Sequence, residues 1–310
     1  MTATRWQGTG VALVTPFDHQ LRVDWAGLAR LLAHVAAADV DYLVVQGTTG
    51  EAATTTPQEK REILHFIQEH NTRQLPIVYG LGGNATQLMA EEMAHTDWTG
   101  VAAILLGSPY YNKPSQEGLY RHYQALATAA PIPILLYNVP SRTGVNLAAA
   151  TTLRLFEETR IVGIKEASDN FVQCIQIAQG APSDCALIAG DDILALPMLS
   201  IGAVGVISAL ANAFPTQVAQ MTRAALAQDY GQARAHQRLL LAWQELMHTG
   251  GNPGVVKYML SALKICAPYV RAPLSDIPRP IARKIDLLAA SYLRSPAKPI
   301  PLPYSGHTQA

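Results

Sequence analysis

The run Ile161-Val162-Gly163-Ile164-Lys165-Glu166-Ala167 leads four apolar or small residues, three of them β-branched, into a lysine. It reads as a buried strand of the parallel type. Lysine is depleted in strands and rarely buried without a partner, so a strand that delivers Lys165 needs a reason. Burial disfavours a charged ammonium, and an amine held that way is a nucleophile able to form a Schiff base with a carbonyl. The plainer reading is a structural lysine whose stem packs on the sheet while its head reaches water. Taken alone, the run favours that plainer reading.

Working outward from this run, the same pattern recurs at 11–14, 42–45, 77–79, 102–106, 134–137, 186–189 and 204–207. With 161–164 this makes eight short apolar runs, each followed by a helical stretch, and predicts an α/β fold, a (β/α)8 barrel. Leu28, Leu31, Leu32 and Val35 form one face of the first helix, and Ile63, Leu64 and Ile67 one face of the second. Thr56-Pro57-Gln58-Glu59 has the composition of a helix start, a capping Thr followed by Pro and Glu. An open doubly wound sheet is the competing fold. After the eighth run the chain turns helical at 215–227, 230–248, 255–265 and 281–293, with Gly250-Gly251-Asn252-Pro253-Gly254 as a break. The expected organisation is a catalytic barrel over 1–228, a small C-terminal helical domain over 229–293, and a Pro-rich, disordered tail over 294–310.

The 310 residues carry 23 Lys plus Arg against 23 Asp plus Glu, a formal net charge of zero. That balance argues against a nucleic-acid or polybasic membrane partner, and makes recognition of any anion a local matter. Hydrophobic residues make up 49% and charged residues 15%, enough for a large core. Cys174, Cys185 and Cys266 offer neither a disulfide framework nor a zinc motif, which fits a reducing compartment. No signal-peptide core and no membrane-length apolar stretch is read, so a cytoplasmic enzyme is expected.

In a barrel of this kind the chemistry sits at the C-terminal ends of the strands. The second run is followed by Gly47-Thr48-Thr49-Gly50-Glu51, whose amides and hydroxyls can bind a carboxylate, or whose threonines merely cap a helix. The fourth is followed by Ser108-Pro109-Tyr110-Tyr111-Asn112-Lys113-Pro114, a packing anchor, an interface or a source of a phenol. The fifth leads into Tyr137-Asn138-Val139-Pro140-Ser141-Arg142-Thr143-Gly144. By alternation Leu135 and Tyr137 share a face, as do Ile161, Gly163 and Lys165. If both faces point inward, Tyr137 and Lys165 are neighbours at one level, and Gly163 leaves room beside them. A phenol next to an amine suits imine chemistry, which needs a proton given and taken back. Arg142 is a fork for a carboxylate, or a surface ion pair. Asp191 and Asp192 hint at a metal, but helix capping by Asp192 suits the sequence better. His65 and Glu69 read as a solvated helix face. No Walker loop, Rossmann fingerprint, haem or flavin signature is present.

Taken together, three motifs resemble the dihydrodipicolinate synthase family: Gly47-Thr48-Thr49-Gly50-Glu51, Tyr137-Asn138-Val139-Pro140-Ser141-Arg142-Thr143-Gly144, and Gly163-Ile164-Lys165-Glu166-Ala167. This is the lysine-pathway branch of the pyruvate-dependent class I aldolases, which also hold N-acetylneuraminate lyase. The likeness runs in order from about Gly8 to Leu293, and Arg142 before Thr143-Gly144 favours the synthase branch. The resemblance implies a Schiff base between Lys165 and pyruvate, with Tyr137 as proton donor and acceptor, and Thr48 and Tyr111 completing a relay. It implies Thr49 and the Ile207 carbonyl on pyruvate, and Arg142 on the carboxylate of aspartate semialdehyde. It implies no cofactor or metal beyond the lysine imine. It also implies self-association as a dimer of dimers, with Tyr111 supplied across an interface.

The chain departs from the pattern at Ala52, where many members have Ser, and at Pro57, Lys60 and Leu88, where lysine-inhibited members carry lysine-binding groups. Weak or absent inhibition by lysine is therefore expected. The rivals are another pyruvate aldolase acting on a sugar acid, a phosphosugar barrel enzyme, and a catalytically silent barrel. Gly202-Ala203-Val204-Gly205 precedes the eighth run and offers the phosphosugar enzyme no phosphate loop.

Overall fold

The computed structural model describes residues 3–294. Strands and helices alternate as β1 (Gly8–Ala12), α1 (Trp25–Ala36), β2 (Tyr42–Val45), α2 (Pro57–His70), β3 (Ile77–Leu81), α3 (Thr86–His95), β4 (Val101–Gly107) and α4 (Gln116–Ala129). Then follow β5 (Ile134–Asn138), the short helices α5 (Pro140–Thr143) and α6 (Ala149–Leu155), β6 (Ile161–Glu166), α7 (Phe171–Gly180), β7 (Ala186–Ala189), α8 (Ala195–Ser200), β8 (Gly205–Ser208) and α9 (Pro215–Leu226). Every strand pairs in parallel with the next and β8 closes on β1. The strand order never reverses, so the chain is a (β/α)8 barrel and not a doubly wound sheet.

Two apolar layers hold it. The outer one packs the helices on the strands and includes Leu28, Leu31, Leu32 and Val35 of α1 and Ile63, Leu64 and Ile67 of α2. Thr56 and Glu59 form the expected capping box, Glu59 N–H donating to Thr56 Oγ1 at 3.2 Å and Thr56 N–H to Glu59 Oε2 at 2.9 Å. The inner layer fills the barrel. At its N-terminal end the fully buried Trp6 meets Tyr42 edge-on, ring centroids 5.8 Å apart. A Cβ on Gly10 would lie 2.2 Å from the Tyr42 ring. This is why the first strand is the glycine-rich Gly8–Ala12 rather than the apolar run 11–14: the plug needs bare backbone beside it. The eighth strand likewise sits one residue later than the apolar run.

β6 departs from simple alternation. Ile134 pairs with Ile161, but Leu135 pairs with Gly163, leaving Val162 as a bulge. Ile161 therefore packs in the outer layer and Val162 in the inner one, so Ile161 does not share the face of Lys165. Nor does Gly163 leave space: a Cβ there would lie 2.4 Å from the Ala186 carbonyl oxygen. The close approach of β7, not an opening, explains that glycine. Past the bulge the register recovers, and Tyr137 pairs directly with Lys165.

Beyond α9 come α10 (Tyr230–Gly250), α11 (Gly254–Ala262) and α12 (Arg279–Arg294). Phe214 packs tilted against Trp243 of α10, ring centroids 4.6 Å apart, and edge-on against Tyr292 of α12 at 5.0 Å. Each such pair is worth about 0.5–1.5 kcal/mol beyond its buried area, enough to staple the last helix to the barrel. Of the expected tail, all but Arg294 lies outside the described residues. No described helix is long and apolar enough to cross a membrane.

Candidate active site

At the C-terminal mouth of the barrel lies a cavity of about 260 Å³, lined by Lys165, Tyr137, Thr49, Arg142, Ile207 and Asn252 among others. Lys165 enters from β6 and is 6% exposed, its Nζ 4.5 Å from the centroid of the Tyr137 ring. Among the described residues it has no hydrogen-bond or ion-pair partner, unlike a structural lysine whose head is paired or free in water. The glycine that makes room for it is Gly190 after β7, where a Cβ would meet Lys165 Cε at 3.0 Å and the Glu166 carbonyl oxygen at 2.9 Å.

The strand ends that carry this pair are pinned from behind. Glu166, wholly buried, accepts from Asn138 Nδ2 at 3.0 and 3.1 Å, Gln173 Nε2 at 2.9 Å and Ser168 N–H at 2.7 Å. Three neutral donor groups satisfy one buried carboxylate through four contacts, without a cation. The Asn138 side chain in turn spans β5 and the segment before α6, Oδ1 accepting from Leu147 N–H at 2.9 Å.

Thr49 stands in the turn after β2. Gly50 and Glu51 N–H donate back to the carbonyls of Gly47 and Thr48 at 3.0 and 3.1 Å. That leaves the amides of Thr48 and Thr49 without acceptors among the described residues, a small concavity suited to a carboxylate. Arg142, on α5, has no carboxylate partner among the described residues. Its Nη2 donates to the Asn252 carbonyl at 3.1 Å beside the cavity, so it is no surface ion pair. Lys165 and Arg142 thus bring two basic side chains, neither ion-paired among the described residues, to one cavity that Asp191 and Asp192 also line.

Two sequence-derived residues do not join them. Thr48 is half-buried and Tyr111 is 86% exposed with φ +72°; neither lines the cavity of a single chain. Asp192 caps, but not its own helix. It accepts from Ser208 Oγ and, at 3.1 Å each, from the amides of Ala209 and Leu210, closing the turn after β8. Burial pushes its carboxyl up. No cluster of metal-ligating side chains occurs among the described residues. His65 and Glu69 form an exposed pair on α2.

The outer wall comes from the C-terminal helices, which the strand-end reading did not reach. Gln244, Met247 and His248 of α10 line the cavity. Asn252 Nδ2 donates to Thr49 Oγ1 at 2.9 Å. The sequence marked Asn252 only as part of a helix break. A sharper signal was Lys257 within the apolar run 255–265. It is fully buried and paired with Glu51, and burial pulls its ammonium below the usual lysine range.

Residues 5–289 match the Dihydrodipicolinate synthetase family. The chain is 42% identical over 279 residues to the 4-hydroxy-tetrahydrodipicolinate synthase of Cytophaga hutchinsonii, covering 90% of this chain and 94% of that protein. It superposes on the 4-hydroxy-tetrahydrodipicolinate synthase of Methylacidiphilum fumariolicum SolV with a TM-score of 0.88 at 36% identity, covering 93% and 96% of the two chains. It superposes on the chloride-inhibited, pyruvate-complexed dihydrodipicolinate synthase of Acinetobacter baumannii with a TM-score of 0.87 at 34% identity, covering 92% and 99%.

Proposed function

The chain belongs to the dihydrodipicolinate synthetase family, and from that premise we propose that it condenses pyruvate with L-aspartate 4-semialdehyde to 4-hydroxy-tetrahydrodipicolinate. It is then a lyase of the class I aldolase type, working in the cytoplasm on the diaminopimelate route to lysine. The observation that carries this reading is Lys165 Nζ standing 4.5 Å over the Tyr137 ring, without an ionic partner among the described residues.

The Lys165 amine adds to C2 of pyruvate. Tyr137 gives a proton to the departing hydroxyl of the carbinolamine, water leaves, and the imine forms. The imine is the electron sink, so the proposal needs no bound cofactor or metal. It makes the C3 methyl acidic, and loss of a proton gives the enamine. Thr49, the free amides of its turn and the Ile207 carbonyl hold the ketoacid. Arg142 takes the carboxylate of the semialdehyde. The enamine carbon attacks the aldehyde, forming the new C–C bond, and the aldehyde oxygen is protonated. The substrate amine then adds to C2 and expels the Lys165 amine, closing the ring.

Thr48 and Tyr111 are proposed to relay protons between Tyr137 and solvent. Because Tyr111 is so exposed in one chain, that step assigns it to a neighbouring copy, within a dimer of dimers.

Arg142 provides the test of the second substrate. Hydrogen bonds to a charged group contribute about 1.5–3 kcal/mol, so Arg142→Ala should lower kcat/KM for the semialdehyde by about 10- to 150-fold. Pyruvate adduct formation on Lys165 should be unchanged. A variant that uses the semialdehyde as well as the parent would point to a different aldehyde.

A further inference from the structure

The turn after β2 is entered and left through left-handed residues that are not glycine, Gln46 at φ +57° and Glu51 at φ +54°. Such residues persist only where the surroundings over-determine them. Between them lie Thr48 and Thr49. The Glu51 side chain is 1% exposed and ion-paired with Lys257 of α11, itself 0% exposed. Its second oxygen accepts from Arg271 N–H at 3.0 Å. Lys257 also donates to the Tyr269 carbonyl at 2.8 Å and stands 4.0 Å over the Phe17 ring, which Arg271 approaches to 4.2 Å. Neither member of the pair lines the cavity, so neither has a chemical step to perform. A buried ion pair is a weak source of stability compared with apolar side chains of the same volume, and its best-attested use is to fix one arrangement among several.

We infer that Glu51 and Lys257 are a positioning pair through which the C-terminal helices set the geometry of the ketoacid-binding turn. Asn252, just before α11, grips Thr49 from the same side. The turn is thus held at two points by one helical unit. This inference rests on the pyruvate reading of the Thr48–Thr49 turn.

The test removes both charges together, so that no lone ion is left buried: Glu51→Gln with Lys257→Met. In the parent Arg271 also holds Glu59 by a bidentate contact, at 2.6 and 2.8 Å, which neither substitution touches, so the segment that follows α11 is expected to stay docked. The expected result is a folded protein whose KM for pyruvate rises by about tenfold or more, the cost of a misplaced binding turn. KM for the semialdehyde, held by Arg142, should stay within about twofold of the parent. A merely structural pair would not separate the two constants. A folded variant with an unshifted pyruvate KM overturns the inference.

Hydrogen exchange on the unmodified protein gives an independent reading. The hydrogen-bonded amides of Gly50 and Glu51 should open in step with those of α11, and faster exchange at these two than in α11 also overturns it. Absence of a pyruvate adduct in the parent counts against the pyruvate reading instead, while an adduct in the parent with an unshifted KM in the variant counts against the positioning pair.

Discussion

Tyr137 and Lys165 are partners across β5 and β6, so the phenol and the amine are brought together by backbone register rather than by a flexible loop. That makes the phenol separable from the amine. Tyr137→Phe keeps the ring under Nζ and removes only the hydroxyl. It should lower kcat by about 10²- to 10⁴-fold while pyruvate still becomes attached to Lys165 on long incubation. A steady-state kcat within a few-fold of the parent would remove Tyr137 from the chemistry. This pair was legible in the sequence because alternation along two strands is a local rule. The rule nonetheless failed at Ile161, where a bulge reverses the face, and at Gly163, whose neighbour β7 no local pattern reveals. Asn252 was not legible at all, since its partner Thr49 lies 203 residues earlier.

At the scale of the element, the ends of β5 and β6 are fastened by Glu166 and Asn138. Glu166→Ala removes the acceptor shared by three buried donor groups. Asn138 Nδ2 and Gln173 Nε2 keep other acceptors, but the Ser168 amide is left unpaired among the described residues, at a cost of about 1–3 kcal/mol on top of the cavity left behind. The melting temperature should fall by about 5 °C or more. A variant melting within a degree of the parent would show that water or repacking replaces the carboxylate without loss. The sequence showed Glu166 only as the residue after the lysine. A carboxylate satisfied wholly by neutral donors from β5, the following turn and α7 is a tertiary fact that periodicity does not encode. By contrast the capping box at Thr56 and Glu59 was plain, because both partners lie within one helical turn.

For the whole molecule, the barrel was legible from eight repeats of run and helix, whereas the role of the C-terminal helices as the outer wall of the site was not. Arg271, in the segment between α11 and α12, ties that unit back to α2 by its bidentate contact with Glu59, and holds the Glu59 carboxyl well below its ordinary 4.5, at about 2. The folded value lies below the unfolded one. The contact therefore stabilises fully above about pH 4.5, and its contribution is lost as pH falls toward 2. Thermal unfolding of the parent and Arg271→Gln should differ most above pH 4.5 and converge below it. A difference that stays constant or widens as pH falls would contradict the assignment. The proposed chemistry turns on one covalent bond, which borohydride trapping detects. The protein is incubated with pyruvate, reduced, digested and mapped by mass spectrometry. A reduced pyruvyl adduct is expected on Lys165 and none in Lys165→Met. A folded protein that gives no adduct, or carries it on another lysine, would contradict the proposed chemistry.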